Sequence, residues 1–352
     1  MKQVLLLLFA SLYLGSLFGQ TLGLDNWQAI RTSGKTICSN GSPYSFFYYP
    51  QSTDKLLVYF EGGGACWNPE NCDLEGKPTY TPTVDSLDNP GFIPQDLAMY
   101  RMKGIIDVQN PANPFLGYSV VVIPYCTADT HLGSRTVTYT KNGKTFKIRH
   151  QGFTNVEAAL NWVYGKMKAP KTIFVCGCSA GSIPAPIYAS MISKHYPEAR
   201  VTELSDASGA YTDKAASTFY AQWGVKKIFK KAGLNPDASQ VSQVQLMIAS
   251  AKLSPKITFS TFNTAYDDGQ EFFLGETGED PTKIYDLIKG NMEKVRAATP
   301  NFYYFIAPGK VHTILDSTKF YDLTVNGVSL RQWVYQLAEG QRMGDVECSN
   351  CK

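Results

Sequence analysis

Apolar, β-branched and aromatic residues cluster in short runs at residues 56–60, 120–123, 172–175, 256–262 and 301–306, with a weaker run at 201–204. Runs of this length and composition predict buried strands. Between them the apolar positions change period. From Val156, the residues Ala159, Leu160, Val163 and Met167 recur at helical spacing, with Thr154 or Asn155 placed to cap the turn before them. A second helix is expected from just after Ser179 towards Lys194, and a third over residues 330–337 with Trp333 and Val334 on its inner face. Strands alternating with helices predict an α/β fold, a mostly parallel sheet with helices on both faces. Such sheets gather their chemistry at the carboxyl ends of the strands.

The pattern is different at the N-terminus. Met1-Lys2-Gln3 carries one positive charge, residues 4–14 are almost wholly apolar, and small or turn-prone residues follow at Ser16 and Gly19. That succession predicts a secretory signal peptide over residues 1–19; its apolar core is short for an uncleaved membrane anchor, the competing reading. Residues 20–352 contain no Ser/Gly-rich linker, charge block or repeat, and no later uncharged apolar stretch of about 18 residues. With 352 residues, 44% of them hydrophobic, one large domain can bury its own core. The expectation is a single catalytic domain over residues 20–352, secreted (periplasmic or extracellular), monomeric and without a membrane span. The expected cleavage point has no Cys, so no lipid anchor is expected either.

Export would take the eight cysteines into an oxidising compartment. Eight cysteines allow 105 connectivities. Only Cys66 with Cys72 and Cys348 with Cys351 are close enough in sequence to suggest local bridges. No second CxxC or His pair stands at zinc-ligand spacing, so no metal site is expected. A net charge of +3 gives no reason to expect nucleic acid, and Lys226, Lys227, Lys230 and Lys231 read as a solvated helix face. The aromatic stretches at residues 44–49 and 302–305 suit core strands better than a sugar-binding cleft.

The candidate chemistry centres on Gly177-Cys178-Ser179-Ala180-Gly181, a G-x-S-x-G sequence between a predicted strand and a predicted helix. In that setting the serine is a nucleophile held on a tight strand-to-helix turn. It needs a base, and the chain has four histidines. His150 and His195 read as surface residues. His312 follows the run at 301–306 on a Pro/Gly loop, and is preferred to His131 because this fold places its histidine after the serine and the acid. The acid should lie between them: Asp267 first, then Asp268, then Asp206, its task being to orient and stabilise the imidazole. Glu61-Gly62-Gly63-Gly64 follows the run at 56–60 and can turn backbone N–H groups towards a substrate oxyanion, with the N–H of Ala180 as a second contributor. The glycines lack the Lys-Ser/Thr and the spacing of a nucleotide-binding loop, so no cofactor is expected.

With these residues the chain resembles the pectin acetylesterase family, which includes the Notum-like serine esterases. The matching pieces are Cys38-Ser39-Asn40-Gly41-Ser42, Glu61 to Gly64, Tyr125-Cys126, Gly177 to Gly181, Ala265-Tyr266-Asp267 and His312, spread in family order from about residue 36 onwards. The resemblance implies an α/β-hydrolase fold and metal-free hydrolysis of carboxylic esters. It also implies a Ser179–His312–Asp267 triad with Gly64, Ala65 and Ala180 donating to the oxyanion. Ala65 stands where members usually carry an aromatic residue, displaced here to Trp67, and Asp268-Gly269 replaces the Ser-Trp of plant members. Trp67 and His131 are expected to contact the substrate. The leading substrate is an O-acetyl group on a polysaccharide. A lipid or fatty-acyl ester is the rival, and a non-catalytic carbohydrate-binding protein on a hydrolase scaffold the reading from another class.

Overall fold

Among the described residues of the computed structural model (26–31, 34–84, 103–235, 242–341 and 344–352), the apolar runs assemble into one nine-stranded sheet. The leader predicted over residues 1–19 lies outside them. The first strands are β1 (Gln28–Arg31), β2 (Ser45–Tyr49), β3 (Lys55–Phe60) and β4 (Ser119–Ile123). A hairpin of β5 (Arg135–Lys141) and β6 (Lys144–His150) stands outside the sheet as its own antiparallel pair. The sheet resumes with β7 (Thr172–Cys178), β8 (Arg200–Asp206), β9 (Phe259–Thr264) and β10 (Phe302–Ala307), and ends on the short edge strand Val346–Glu347. Spatial order is β1-β2-β4-β3-β7-β8-β9-β10 and then that edge strand. Only the β1–β2 and β2–β4 pairings are antiparallel.

The six runs read as strands all lie on this sheet, at β3, β4, β7, β8, β9 and β10. Their sequences explain why. Every residue of β4 (SVVVI) is buried, as is every residue of β3 (KLLVYF) after Lys55. A parallel strand with helices over both faces has no solvent side and therefore no polar alternation. The aromatic stretch at 44–49 is β2, also buried throughout, so these rings form core.

Eight helices lie among the described residues: α1 (Gly152–Lys166), α2 (Ala185–His195), α3 (Asp213–Trp223), α4 (Lys226–Ala232), α5 (Gln243–Leu253), α6 (Asp268–Glu276), α7 (Ile284–Ala298) and α8 (Leu330–Ala338). Helix α8 buries Trp333 and Val334 as its spacing predicts. In α4 the lysines are exposed while Ile228 and Phe229 are buried. The start of α1 departs from expectation. Neither Thr154 nor Asn155 caps it: Asn155 is buried and binds both polar groups of the Ile37 backbone. The helix begins earlier, at Gly152, whose N–H donates to the buried Asp129 carboxylate at 2.7 Å. A remote acid thus replaces a local cap.

Register pairs Phe60 with Gly177 and Ile123, Cys178 with Asp206, and Ala307 with Thr264. The carboxyl ends of β3, β7, β8, β9 and β10 therefore share one edge of the sheet. Disulfides join Cys66 to Cys72 and Cys348 to Cys351, the two expected local loops. A third joins Cys38 to Cys126 across 88 residues, tying the segment before β2 to the exit of β4. Cys176 and Cys178 are free and buried.

Candidate active site

At the end of β7 the chain turns through Ser179 with φ +49°, a left-handed conformation that non-glycine residues adopt rarely. The flanking glycines make this turn possible. A Cβ on Gly177 would overlap the Gly181 backbone, and one on Gly181 would overlap the carbonyls of Phe60 and Glu61 leaving β3. The turn continues as a 3₁₀ segment, Ser179–Gly181, and α2 begins only at Ala185, after Pro184. The helix predicted directly after the serine is displaced by these few residues.

His312 sits on the loop after β10. Its Nε2 lies 2.7 Å from Ser179 Oγ and its Nδ1 lies 2.6 Å from Asp267 Oδ1. Asp267 is fully buried at the N-cap of α6, where it accepts from the Gln270 N–H at 2.8 Å and from Gln270 Nε2 at 2.9 Å. These bonds hold the carboxylate in one rotamer. The Nδ1 contact places a proton on that nitrogen and leaves Nε2 to accept from the serine. Burial pulls the His312 imidazole down, but the hydrogen bond and charge of Asp267, with Asp206 and Asp316 behind it, outweigh burial and raise its pKa. Gly269 completes the fit, since a Cβ there would strike the imidazole. Asp268, the second candidate acid, points outward and pairs with Lys310 at 3.5 Å. Asp206, the third, meets the backbone of the His312 loop instead of its ring.

Ser179 opens onto two spaces. A cavity of about 510 Å³ carries His312 on its wall, together with Glu61, the three glycines that follow, Phe272 and Asp316. On the other side, a recess of about 20 Å³ is bordered by Gly64, Ala180, Tyr211, Phe219, Trp223 and Phe273. Gly64 and Ala180 therefore lie beside Ser179. Ala65 borders the same recess, but its N–H donates to Thr79 Oγ1 at 3.2 Å, so an oxyanion would have to compete for it.

Three expectations require correction. His131 borders neither space: it is 1% exposed, its Nε2 bonds the Glu61 carbonyl at 2.8 Å, and burial pushes its pKa down to about 4. It holds the exit of β3 in place. Trp67 lies behind the wall, with its ring 4.5 Å from that of Phe219. His150, read as a surface residue, is fully buried, with its ring nitrogens against the Thr127 carbonyl and the Tyr139 hydroxyl. It lies near Cys66 and Cys72, but those sulfurs are bonded to each other, so the trio offers no thiolate to a metal. Thr79, Phe219 and Trp223 are the residues that sequence reasoning missed. They come from a distant loop and from α3, with no motif of their own.

A serine on a tight turn after a central parallel strand, with an acid and a histidine after later strands, is the arrangement of the α/β-hydrolase class. The structure of the Wnt deacylase Notum from Drosophila shares this fold, with a TM-score of 0.63 and 15% identity over 92% of this chain and 97% of that one. A family model described as PAE: Pectinacetylesterase matches residues 26–300, and the chain belongs to the pectinacetylesterase family. The palmitoleoyl-protein carboxylesterase notum1' of Xenopus laevis is 26% identical over 185 residues, 50% of this chain and 35% of that protein. Pectin acetylesterase 4 of Arabidopsis thaliana is 24% identical over 174 residues, 48% of this chain and 40% of that protein. The matched part thus spans well under half the length of either relative.

Proposed function

We propose that the protein is a serine carboxylic-ester hydrolase that removes acetyl groups from polysaccharide outside the cytoplasm. The observation that carries the reading is the unbroken pair of hydrogen bonds from Ser179 Oγ through His312 to the buried Asp267. His312 takes the serine proton as Oγ attacks the ester carbonyl. The tetrahedral oxyanion forms towards the backbone N–H groups of Gly64 and Ala180, with Ala65 contributing where Thr79 yields it. His312 then protonates the departing alcohol, and water, activated by the same imidazole, releases the acid from Ser179.

Because the leaving oxygen must face His312, the sugar occupies the large cavity and the acyl group the opposite recess. A recess of about 20 Å³ takes roughly one methyl-sized group. This favours acetyl over a long acyl chain, which would need space now filled by Phe219 and Trp223. Secretion is supported by the three disulfides and the leader-like composition of residues 1–19. The large exposed apolar side chains among the described residues, Leu116, Leu253, Phe272, Val328 and Tyr335, lie on different elements, as suits a monomer.

The test is p-nitrophenyl ester hydrolysis by parent and Ser179→Ala. The variant is expected to lose at least about a thousandfold in kcat, and parental activity in it would remove the serine mechanism. Across acetate, butyrate and octanoate, kcat/KM is expected to fall with chain length. A maximum at octanoate would replace the acetyl reading with the palmitoleoyl-type activity that the Notum relatives' names carry.

A further inference from the structure

Asp206 ends β8, in register with Cys178, the residue before the nucleophile. It is fully buried, yet it does not bond the imidazole. Its Oδ2 accepts the backbone N–H groups of Ile314 at 2.8 Å and Leu315 at 2.9 Å, and the Cys178 thiol at 3.4 Å. Its Oδ1 has no hydrogen-bond partner among the described residues. A buried carboxyl group with one oxygen unpaired is a costly way to fill space. What it provides is one acceptor that joins the β7 exit to Ile314 and Leu315, two and three residues beyond His312.

The other side of His312 is held differently. Thr264 Oγ1 donates to the Val311 carbonyl at 2.7 Å, and the Tyr266 and Asp268 N–H groups donate to the Gly309 and Lys310 carbonyls at 3.0 and 3.2 Å. These bonds fix the loop before the histidine to the strand and helix that carry Asp267. After the histidine, Ile105 N–H holds the Leu315 carbonyl at 2.7 Å, which anchors that residue to a peripheral turn. Among the described residues, Asp206 is the group that ties this half of the loop to the nucleophile strand.

We propose that Asp206 is a positioning residue which, through the Ile314 and Leu315 amides, sets the placement of His312 over Ser179. The inference rests on the serine-esterase reading. A displacement of about 1 Å in such a relay costs on the order of a hundredfold in rate. The acidic groups facing His312 are Asp267, Asp206 and Asp316; burial raises the Asp206 carboxyl itself to about 7, so on the acid side of neutrality it is largely uncharged. Replacing Asp206 by Asn keeps an oxygen for both amides, whereas Ala removes the acceptor altogether.

Asp206→Asn and Asp206→Ala, measured on p-nitrophenyl acetate beside the parent and Ser179→Ala, test it. Asp206→Ala is expected to lose about a hundredfold in kcat with KM changed by less than about threefold. Asp206→Asn, which keeps the acceptor, is expected to stay within about tenfold of the parent in kcat. A folded Asp206→Ala with kcat within about threefold of the parent overturns the proposal, as does an Asp206→Asn variant that falls as far as the alanine variant. If the alanine variant does not fold, Asp206→Asn decides alone: a loss of more than about tenfold in kcat overturns the proposal. If Ser179→Ala keeps parental activity, the enzymatic reading has failed; if it is inactive while both Asp206 variants match the parent, only this inference has.

Discussion

The two sides of Ser179 are built by different means. On the base side, one loop after β10 carries His312, which meets Asp267 and Ser179 through short side-chain hydrogen bonds. Each contact there needs one residue type in one place. On the acyl side, the recess is walled by Phe219 and Trp223 from α3, braced by Trp67 and by a bond from Trp223 Nε1 to the Cys66 carbonyl at 2.7 Å. Those walls need bulk rather than a particular functional group. Under the proposed mechanism the base side constrains the reaction, whereas the acyl side constrains the substrate, and the second can change without disturbing the first.

The sharpest way to break this comparison is to exchange the roles of its two histidines. His312→Ala is expected to lose about 10⁴-fold in kcat on p-nitrophenyl acetate. His131 borders neither space, and His131→Gln should stay within about tenfold, because it loses only a bond to the Glu61 carbonyl. Equal losses in the two variants would mean that the exit of β3 is as much part of the chemistry as the base. The next effect is on specificity. Phe219→Ala should deepen the recess and raise kcat/KM for the butyrate ester relative to acetate by about tenfold, with Ser179 and His312 undisturbed. An unchanged ratio would place the acyl group elsewhere.

What was legible in the sequence follows the same division. Gly177 to Gly181 is readable because a serine with φ +49° needs small flanks at fixed offsets, and the strand before it is a plain apolar run. His312 and Asp267, which the structure brings together with Ser179, are read from the order in which this fold places its residues after successive strands. The acid remained a choice among three because all three follow strands: Asp267 and Asp206 are both fully buried at neighbouring strand ends. Only tertiary geometry shows that one meets a ring and the other a backbone. His131, His150 and Trp67 were misread for a related reason. Polar neighbours such as Lys147 and Arg149 suggest exposure for His150, but its strand turns the imidazole inward onto Thr127. Thr79, Phe219 and Trp223 have no local signature, since a wall assembled from distant segments exists only after folding.

The smallest effect separates the two histidines by the sign of their response to acid. His312 has its pKa raised, so it is protonated, and useless as a base, up to a higher pH than an ordinary imidazole; the acid limb of kcat/KM should lie above about 6.5. The stabilisation linked to that raised value is present below the unfolded pKa and disappears as pH rises through the folded one. His131 behaves in the opposite sense. With its folded pKa near 4, the unfolded chain binds the proton more readily between that value and the ordinary 6.5, so stability is lost as pH falls through this window. The buried carboxyls Asp129 and Asp206, both raised to about 7, and Glu203, raised to about 8, oppose this trend but are common to parent and variant. Comparing the fall in Tm from about pH 7.5 to about pH 5 in the parent and in His131→Gln therefore isolates the histidine. A smaller fall in the variant is expected. An identical fall would show that His131 is accessible to protons in the native state, and would return it to consideration as part of the reactive side.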